Sequence, residues 1–245
     1  MPGRRIYAIG DVHGRYDLLT ELVSRIAAEQ ARLPPARTTV VFIGDVIDRG
    51  PQSAQVLKLI QRSMATGPKV VALKGNHEEM LVEAWRGDRE ALAGWLDHGG
   101  IETLESFGVD PAAIDPDRLD AMEALVRRAI PAETIDWLDA LPLSWSCGDY
   151  LFVHAGIRPG IPLDRQEPSD LLWIRDEFLD FDGTHDQVVV HGHTVTQGVE
   201  FRANRIGIDT GAYRTDRLSA VCLWAGEQRV ITTDQDILDL ETVVG

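Results

Sequence analysis

Asp11 and His13, Asp45 and Asp48, Asn76 and His77, His154, and His191 with His193 share one setting. Each group follows a short apolar run, and glycines flank most of them: Ile9-Gly10-Asp11, Ile43-Gly44-Asp45, Leu73-Lys74-Gly75-Asn76, Val153-His154-Ala155-Gly156 and Val190-His191-Gly192-His193. Carboxylates, imidazoles and a carboxamide, with no cysteine among them, suit borderline or hard divalent metals such as Mn, Fe or Zn. Two such ions ~3.5–4 Å apart can share a bridging carboxylate and a bridging hydroxide, an arrangement suited to attack on phosphorus. An isolated Gly-Asp is usually a turn, and a lone histidine at a strand end is more often a satisfied polar residue. Five such groups in this order point to a metal site at one edge of a sheet.

The elements that must position these groups follow from the apolar runs. Val40–Ile43 leads straight into Gly44 and Asp45, as a buried parallel strand does where it emerges at a ligand-binding edge. Asp48 and Arg49 then sit in a turn closed by Gly50-Pro51. Leu19, Leu22, Val23 and Ile26 recur at helical spacing, predicting a helix over about residues 16–31 that Leu33-Pro34-Pro35 ends. A second helix is expected from about Gln52 to Thr66, with Gly67-Pro68 as its stop. Two consecutive strand–helix–strand units favour parallel pairing with right-handed crossovers. Residues about 79–141 read as a helical insertion beside the site, broken at Gly99-Gly100 and between Asp110 and Pro116. Leu143–Ser146 and Tyr150–His154 flank a hairpin turn, and 157–187 is rich in loops. Short strands are expected at 188–191, 205–209, 220–224 and 230–233. The class is α/β, a single domain over 1–245.

A chain of 245 residues can bury a sizeable core, and 44% hydrophobic with 26% charged residues is ordinary for a globular protein. A net charge of −15 argues against a nucleic-acid or acidic-membrane partner, since phosphate surfaces want a basic footprint. No apolar run approaches the ~20 residues of a membrane span. Met1–Arg5 leads directly into a strand without a signal segment, so the cytoplasm is the expected compartment. Cys147 and Cys222 are expected as two buried thiols.

Read together, GDVHG (10–14), GDVIDRG (44–50), GNHE (75–78), HAG (154–156) and GHT (192–194) resemble the calcineurin-like metallophosphoesterases. More narrowly they are similar to the PPP-type serine/threonine protein phosphatases in their compact bacterial and phage form; symmetrical dinucleoside tetraphosphatases share nearly the same motifs. The resemblance spans about residues 5–225 and implies central β-sheets flanked by helices. It implies that Asp11 and His13 hold a first metal, that Asp45 bridges, and that Asn76, His154 and His193 complete a second. His77 would protonate the leaving oxygen with Asp48 orienting it, while Arg49 and Arg175 clamp the phosphate. Mn is the favoured ion, with Fe or Zn as alternatives.

Three positions depart from the family pattern. Lys74 stands where an Arg usually precedes GNHE, and it would bind phosphate as a point charge without a bidentate fork. Ala155 replaces the first Gly of HGG, and Val195 stands where nuclease-like relatives carry a further His. His191 is left as a strand residue or a neighbour of the ligands, and His98 and His185 as solvated side chains. Asp209 could support the site or simply shape its turn. The acidic run Asp176–Asp186 is expected as a solvated loop, and Trp85, Trp95 and Trp137 as the insertion's own core.

The resemblance implies first a dinuclear metal-dependent phosphomonoesterase acting on phosphoserine or phosphothreonine in proteins, through a metal-bridging hydroxide. Hydrolysis of dinucleoside polyphosphates is the alternative on the same core. Its partners would then be small phosphorylated substrates, not phosphoproteins. A degenerate binding module is disfavoured, because every expected ligand and both members of the Asp48–His77 pair are present.

Overall fold

The computed structural model describes residues 3–66 and 69–234. Gly67-Pro68, the expected helix stop, lies outside the described residues. Five strands form a first sheet in the order β10-β9-β1-β2-β3: β1 (Arg4–Ile9), β2 (Arg37–Phe42), β3 (Lys69–Ala72), β9 (Ser219–Trp224) and β10 (Glu227–Thr232). β1, β2 and β3 are parallel, whereas on the other side β9 runs antiparallel to β1 and β10 antiparallel to β9. A second sheet has the order β4-β5-β6-β8-β7, from β4 (Ser144–Cys147), β5 (Tyr150–Val153), β6 (Val188–His191), β7 (Glu200–Phe201) and β8 (Arg205–Gly207). Here β5, β6 and β8 are parallel.

The alternation of side chains explains the layering, since successive strand residues face opposite sides. Ile6, Ala8, Val41, Ile43, Val71 and Leu73 of the first sheet pack with Phe152, Val190 and Ile206 of the second, forming a core between the sheets. Tyr7, Ile9, Phe42 and Ala72 face the other way, onto α1 (Tyr16–Arg32) and α2 (Ser53–Thr66). On the outer face of the second sheet, Leu151, Val153 and Val189 pack against Leu171, Ile174 and Phe178. Those three come from α8 (Pro168–Trp173), the residue that ends it, and α9 (Asp176–Leu179). Strands buried on both faces read as unbroken apolar runs. That is why the five runs stand out in the sequence.

The insertion comprises α3 (Asn76–Arg86), α4 (Arg89–Trp95), a widened turn at Leu96–Gly100, α5 (Ile101–Ser106), α6 (Leu119–Ala129) and α7 (Ala132–Asp139). Its Leu92, Trp95, Leu104, Met122 and Val126 join the same apolar cluster as Leu19 and Leu22 of α1 and Val56 and Ile60 of α2. Gly99 has φ +105°, and a Cβ there would lie 2.5 Å from the Arg49 amide nitrogen, so only glycine fits the turn against that loop. The expected break at Gly99-Gly100 is therefore a contact with the Asp45–Gly50 loop. A last helix, α10 (Ala212–Thr215), precedes β9.

Two details differ from the expectation. The segment 157–187 carries α8 and α9, whose four to six residues are too short to print a periodic apolar pattern. β7 is only two residues long, below any alternation signal. Cys147 and Cys222 are buried with free thiols. No helix among the described residues is long and apolar enough to cross a membrane.

Candidate metal centre

Every motif sits just beyond the C-terminal end of a strand. Asp11 and His13 follow β1, Asp45 to Arg49 follow β2, and Asn76 and His77 open α3 after β3. His154 follows β5, and Gly192-His193 follow β6, so both sheets supply residues to one lip. Backbone strain is concentrated in these loops. His13, Asp45, Asp48, Arg49 and His193 all hold positive φ, between 43° and 70°. Non-glycine residues in this region cost free energy, and they persist where surrounding contacts over-determine them. Glu78 supplies many of those contacts, its carboxylate accepting from the amides of Asp45 (2.8 Å), Val46 (2.9 Å), Ile47 (3.3 Å) and Gly75 (2.8 Å).

Asp45 is the centre of the arrangement, with its two carboxylate oxygens facing different partners. Oδ2 lies 3.6 Å from His13 Nε2 and 3.8 Å from His77 Nε2, whereas Oδ1 lies 3.4 Å from His154 Nε2. Two groups of metal-capable donors therefore share it: His13–Asp45–His77 and Asp45–His154–His193, all buried. Asn76 Oδ1 joins the second, 2.8 Å from His154 Nε2 and 2.9 Å from His193 Nδ1. Asp11 stands alongside, its Oδ2 accepting from the His193 amide at 3.0 Å.

The hydrogen bonds behind the imidazoles set their tautomers. His13 Nδ1 lies 2.9 Å from the Ile47 carbonyl and His154 Nδ1 2.9 Å from the Ile43 carbonyl, so each donates there and turns the Nε2 lone pair toward Asp45. Burial holds His13 and His154 below the usual imidazole range and lowers His193 to about 3, which keeps them neutral as ligands must be. His77 goes the other way. Burial opposes its charge, but the Asp45 and Asp48 carboxylates outweigh burial and raise it. Its Nδ1 donates to Asp48 Oδ2 at 2.7 Å, while its Nε2 lies 3.0 Å from Arg49 Nη2; a proton on Nε2 would displace that guanidinium contact.

The donor set fits a cation. Asp11 Oδ1 and His193 Nε2 are buried without a hydrogen-bond partner among the described residues. Gly192 packs so closely that a Cβ would collide with Asp11 Oδ1. Asp11 is pushed well above the carboxylate range by burial and by the nearby Asp209 and Asp45, and Asp209 is raised to about 6, chiefly by burial. Buried acids crowded in this way are what a bound metal relieves.

Most residues singled out in the sequence meet at this lip. Arg49 reaches His13 Nε2 at 3.0 Å as well as His77, and Arg175 is exposed at the rim with Nη1 3.3 Å from Thr194 Oγ1. Lys74 instead directs its ammonium to Asp139 Oδ1 at 3.1 Å. His191 is buried beneath the site against Phe178, with its Nδ1 3.1 Å from the Gly192 carbonyl. His185 is half-buried and packed against Phe178 and Phe181, contrary to the solvated expectation, because α9 folds over it. His98 is exposed, yet its ring stands 6.5 Å from His77.

Four residues were assigned no part in the site by their sequence context. Tyr213 meets His13 edge-on at 5.3 Å and carries the Arg49 guanidinium 4.5 Å over its ring. Trp173, 41% exposed, lies 6.3 Å from His193 with Nε1 donating to Glu79 Oε2 at 2.7 Å. Trp95 and Thr103 of the insertion both donate to Asp48. None lies in a strand-end motif, and their proximity arises from pairings between distant segments.

Comparison with known proteins agrees with this geometry. A symmetrical bis(5'-nucleosyl)-tetraphosphatase of Dechloromonas aromatica is 33% identical over 153 residues, 62% of this chain but 44% of that protein, so the matched region spans under half of that relative. Serine/threonine-protein phosphatase 2 of Escherichia coli is 30% identical over 225 residues, 88% of this chain and 91% of that one. Among solved structures, a protein provisionally described as a diadenosine tetraphosphatase superposes with a TM-score of 0.65 at 21% identity, covering 94% of each chain. The calcineurin-like phosphoesterase model matches residues 4–221, and the chain belongs to that family.

Proposed function

We propose that this chain hydrolyses dinucleoside polyphosphates in the cytoplasm, using two divalent ions, Mn before Fe or Zn. Asp11, His13 and Asp45 would hold one ion, and Asp45, Asn76, His154 and His193 the other. Such ions supply a water acidic enough to attack phosphorus and offset charge on the phosphoryl oxygens. Asp45 suits the shared position because its two oxygens already face opposite groups. His77 gives a proton to the leaving oxygen, and Asp48, bonded to Nδ1, holds the ring so that Nε2 faces the reacting centre. Arg49 and Arg175 bind the outer phosphoryl oxygens. Lys74 is left out of that role because Asp139 already pairs with it.

The substrate class rests on the exposed indole of Trp173 beside His193, a face on which a nucleobase can stack next to the metal pair. The name of the Dechloromonas aromatica relative supports the same reading. Phosphoserine or phosphothreonine in proteins is the second reading, favoured by the match to the Escherichia coli phosphatase along 91% of its length. Turnover of diadenosine tetraphosphate and of a phosphoserine peptide by the Mn-loaded protein tests the choice. We expect the higher kcat/KM on the dinucleotide. Trp173→Ala should raise its KM roughly 5- to 150-fold, matching the ~1–3 kcal/mol of one stacked base, while p-nitrophenyl phosphate is unaffected. A higher kcat/KM on the peptide, with no effect of Trp173→Ala, would favour the second reading.

A further inference from the structure

We infer that Trp95 and Thr103 of the helical insertion are positioning residues for proton transfer, acting through Asp48 on His77. The inference rests on the phosphoesterase reading with His77 as the acid.

Asp48 is fully buried, and its carboxylate is surrounded by donors from two directions. His77 Nδ1 takes Oδ2 at 2.7 Å. The Thr103 hydroxyl donates to Oδ1 at 2.6 Å, and Trp95 Nε1 lies 3.0 Å from both oxygens. The Asp48 amide is held as well, 3.0 Å from Thr103 Oγ1 and 3.0 Å from Ser53 Oγ. One residue on, the Arg49 amide donates to the Gly99 carbonyl at 3.1 Å. Trp95, Gly99 and Thr103 all belong to one stretch, the end of α4, the widened turn and the start of α5.

A carboxylate with a single imidazole partner could rotate and present either oxygen. Here an indole that can only donate spans both oxygens and a short hydroxyl contact holds Oδ1, which fixes the carboxylate plane and keeps Oδ2 turned to His77. Asp48 also sits at φ +70°, a conformation that needs outside contacts to persist. Trp95 is fully buried inside the insertion's apolar cluster, so its N–H is anchored by packing. The insertion thus forms the support beneath the acid.

The test compares p-nitrophenyl phosphate, whose anion leaves unaided, with phenyl phosphate, whose phenolate is about as basic as tyrosine's (~10) and needs the proton. Trp95→Phe keeps the packing and deletes one donor. Thr103→Val keeps the shape and deletes the donor to Oδ1 together with one of the two acceptors of the Asp48 amide, leaving Ser53 Oγ as the other. With metal content equal to wild type, each should lose roughly 5- to 50-fold in kcat on phenyl phosphate and under about 3-fold on p-nitrophenyl phosphate. Thr103→Ser should restore the rate, and Thr103→Val added to His77→Asn should cost nothing further, because both act on one step. Equal losses on the two esters, additive losses with His77→Asn, or lost metal or fold in both Trp95→Phe and Thr103→Val would each overturn the inference. If His77→Asn itself loses equally on both esters, the underlying acid assignment fails instead.

Discussion

At the scale of single residues, the site is a set of loops held in strained conformations by a few buried side chains, and Glu78 does most to hold them. Its carboxylate accepts four amides from the two loops that carry Asp45 and Asn76. Glu78→Gln would put an amide group against N–H donors and leave some of them unpaired. We predict a loss of ~1–3 kcal/mol of stability, read by denaturant unfolding, together with weaker metal binding. Unchanged stability and metal affinity would show that the loops are held without it. The acidic and imidazole residues of the lip were legible in the sequence because each ends an apolar run. Glu78 was legible only as the last letter of a motif, since its partners are backbone amides that carry no side-chain signature. Lys74 shows the converse. Its place before Gly75 suggests phosphate, yet Asp139, 65 residues later, takes its ammonium.

At the scale of elements, strands place the metal-capable donors and the insertion braces the loop after β2. Gly99 is the tightest point of that brace, where α4 gives way to α5 against Arg49. Gly99→Ala adds a Cβ at a left-handed φ and into the Arg49 backbone, so it should cost ~1–3 kcal/mol or more in stability. It should also raise KM for p-nitrophenyl phosphate by displacing Arg49; a melting temperature and KM equal to wild type would contradict the brace. The strands other than β7 could be read from their apolar runs, and α1 and α2 from helical spacing and their stop signals. The roles of Trp95 and Thr103 could not. A buried tryptophan looks the same in sequence whether its N–H meets a carbonyl or the Asp48 carboxylate. The short α8 and α9, which carry Trp173 and flank Arg175, fall below the length at which a pattern is visible.

At the scale of the whole molecule, the proposed centre joins the two sheets, since β1, β2 and β3 bring Asp11, His13, Asp45 and Asn76 while β5 and β6 bring His154 and His193. A metal pair held across them should stabilise the fold as well as drive the chemistry. Exhaustive chelation should abolish turnover and lower Tm, and Mn²⁺ should restore both. The stabilisation would be ~2.7 kcal/mol for each site at a free metal concentration 100 times its Kd. An unchanged Tm with full activity after metal removal would leave the dinuclear account without support. The most direct test is the metal content of Asp45→Asn, measured by elemental analysis after gel filtration in Mn²⁺. Asp45 turns one oxygen toward each donor group, so wild type should retain two ions per chain. Asp45→Asn should retain at most one and lose its phosphoesterase activity, while Asp11→Asn keeps the second-site ion. Two tightly held ions in Asp45→Asn, with turnover preserved, would contradict a metal pair bridged by Asp45.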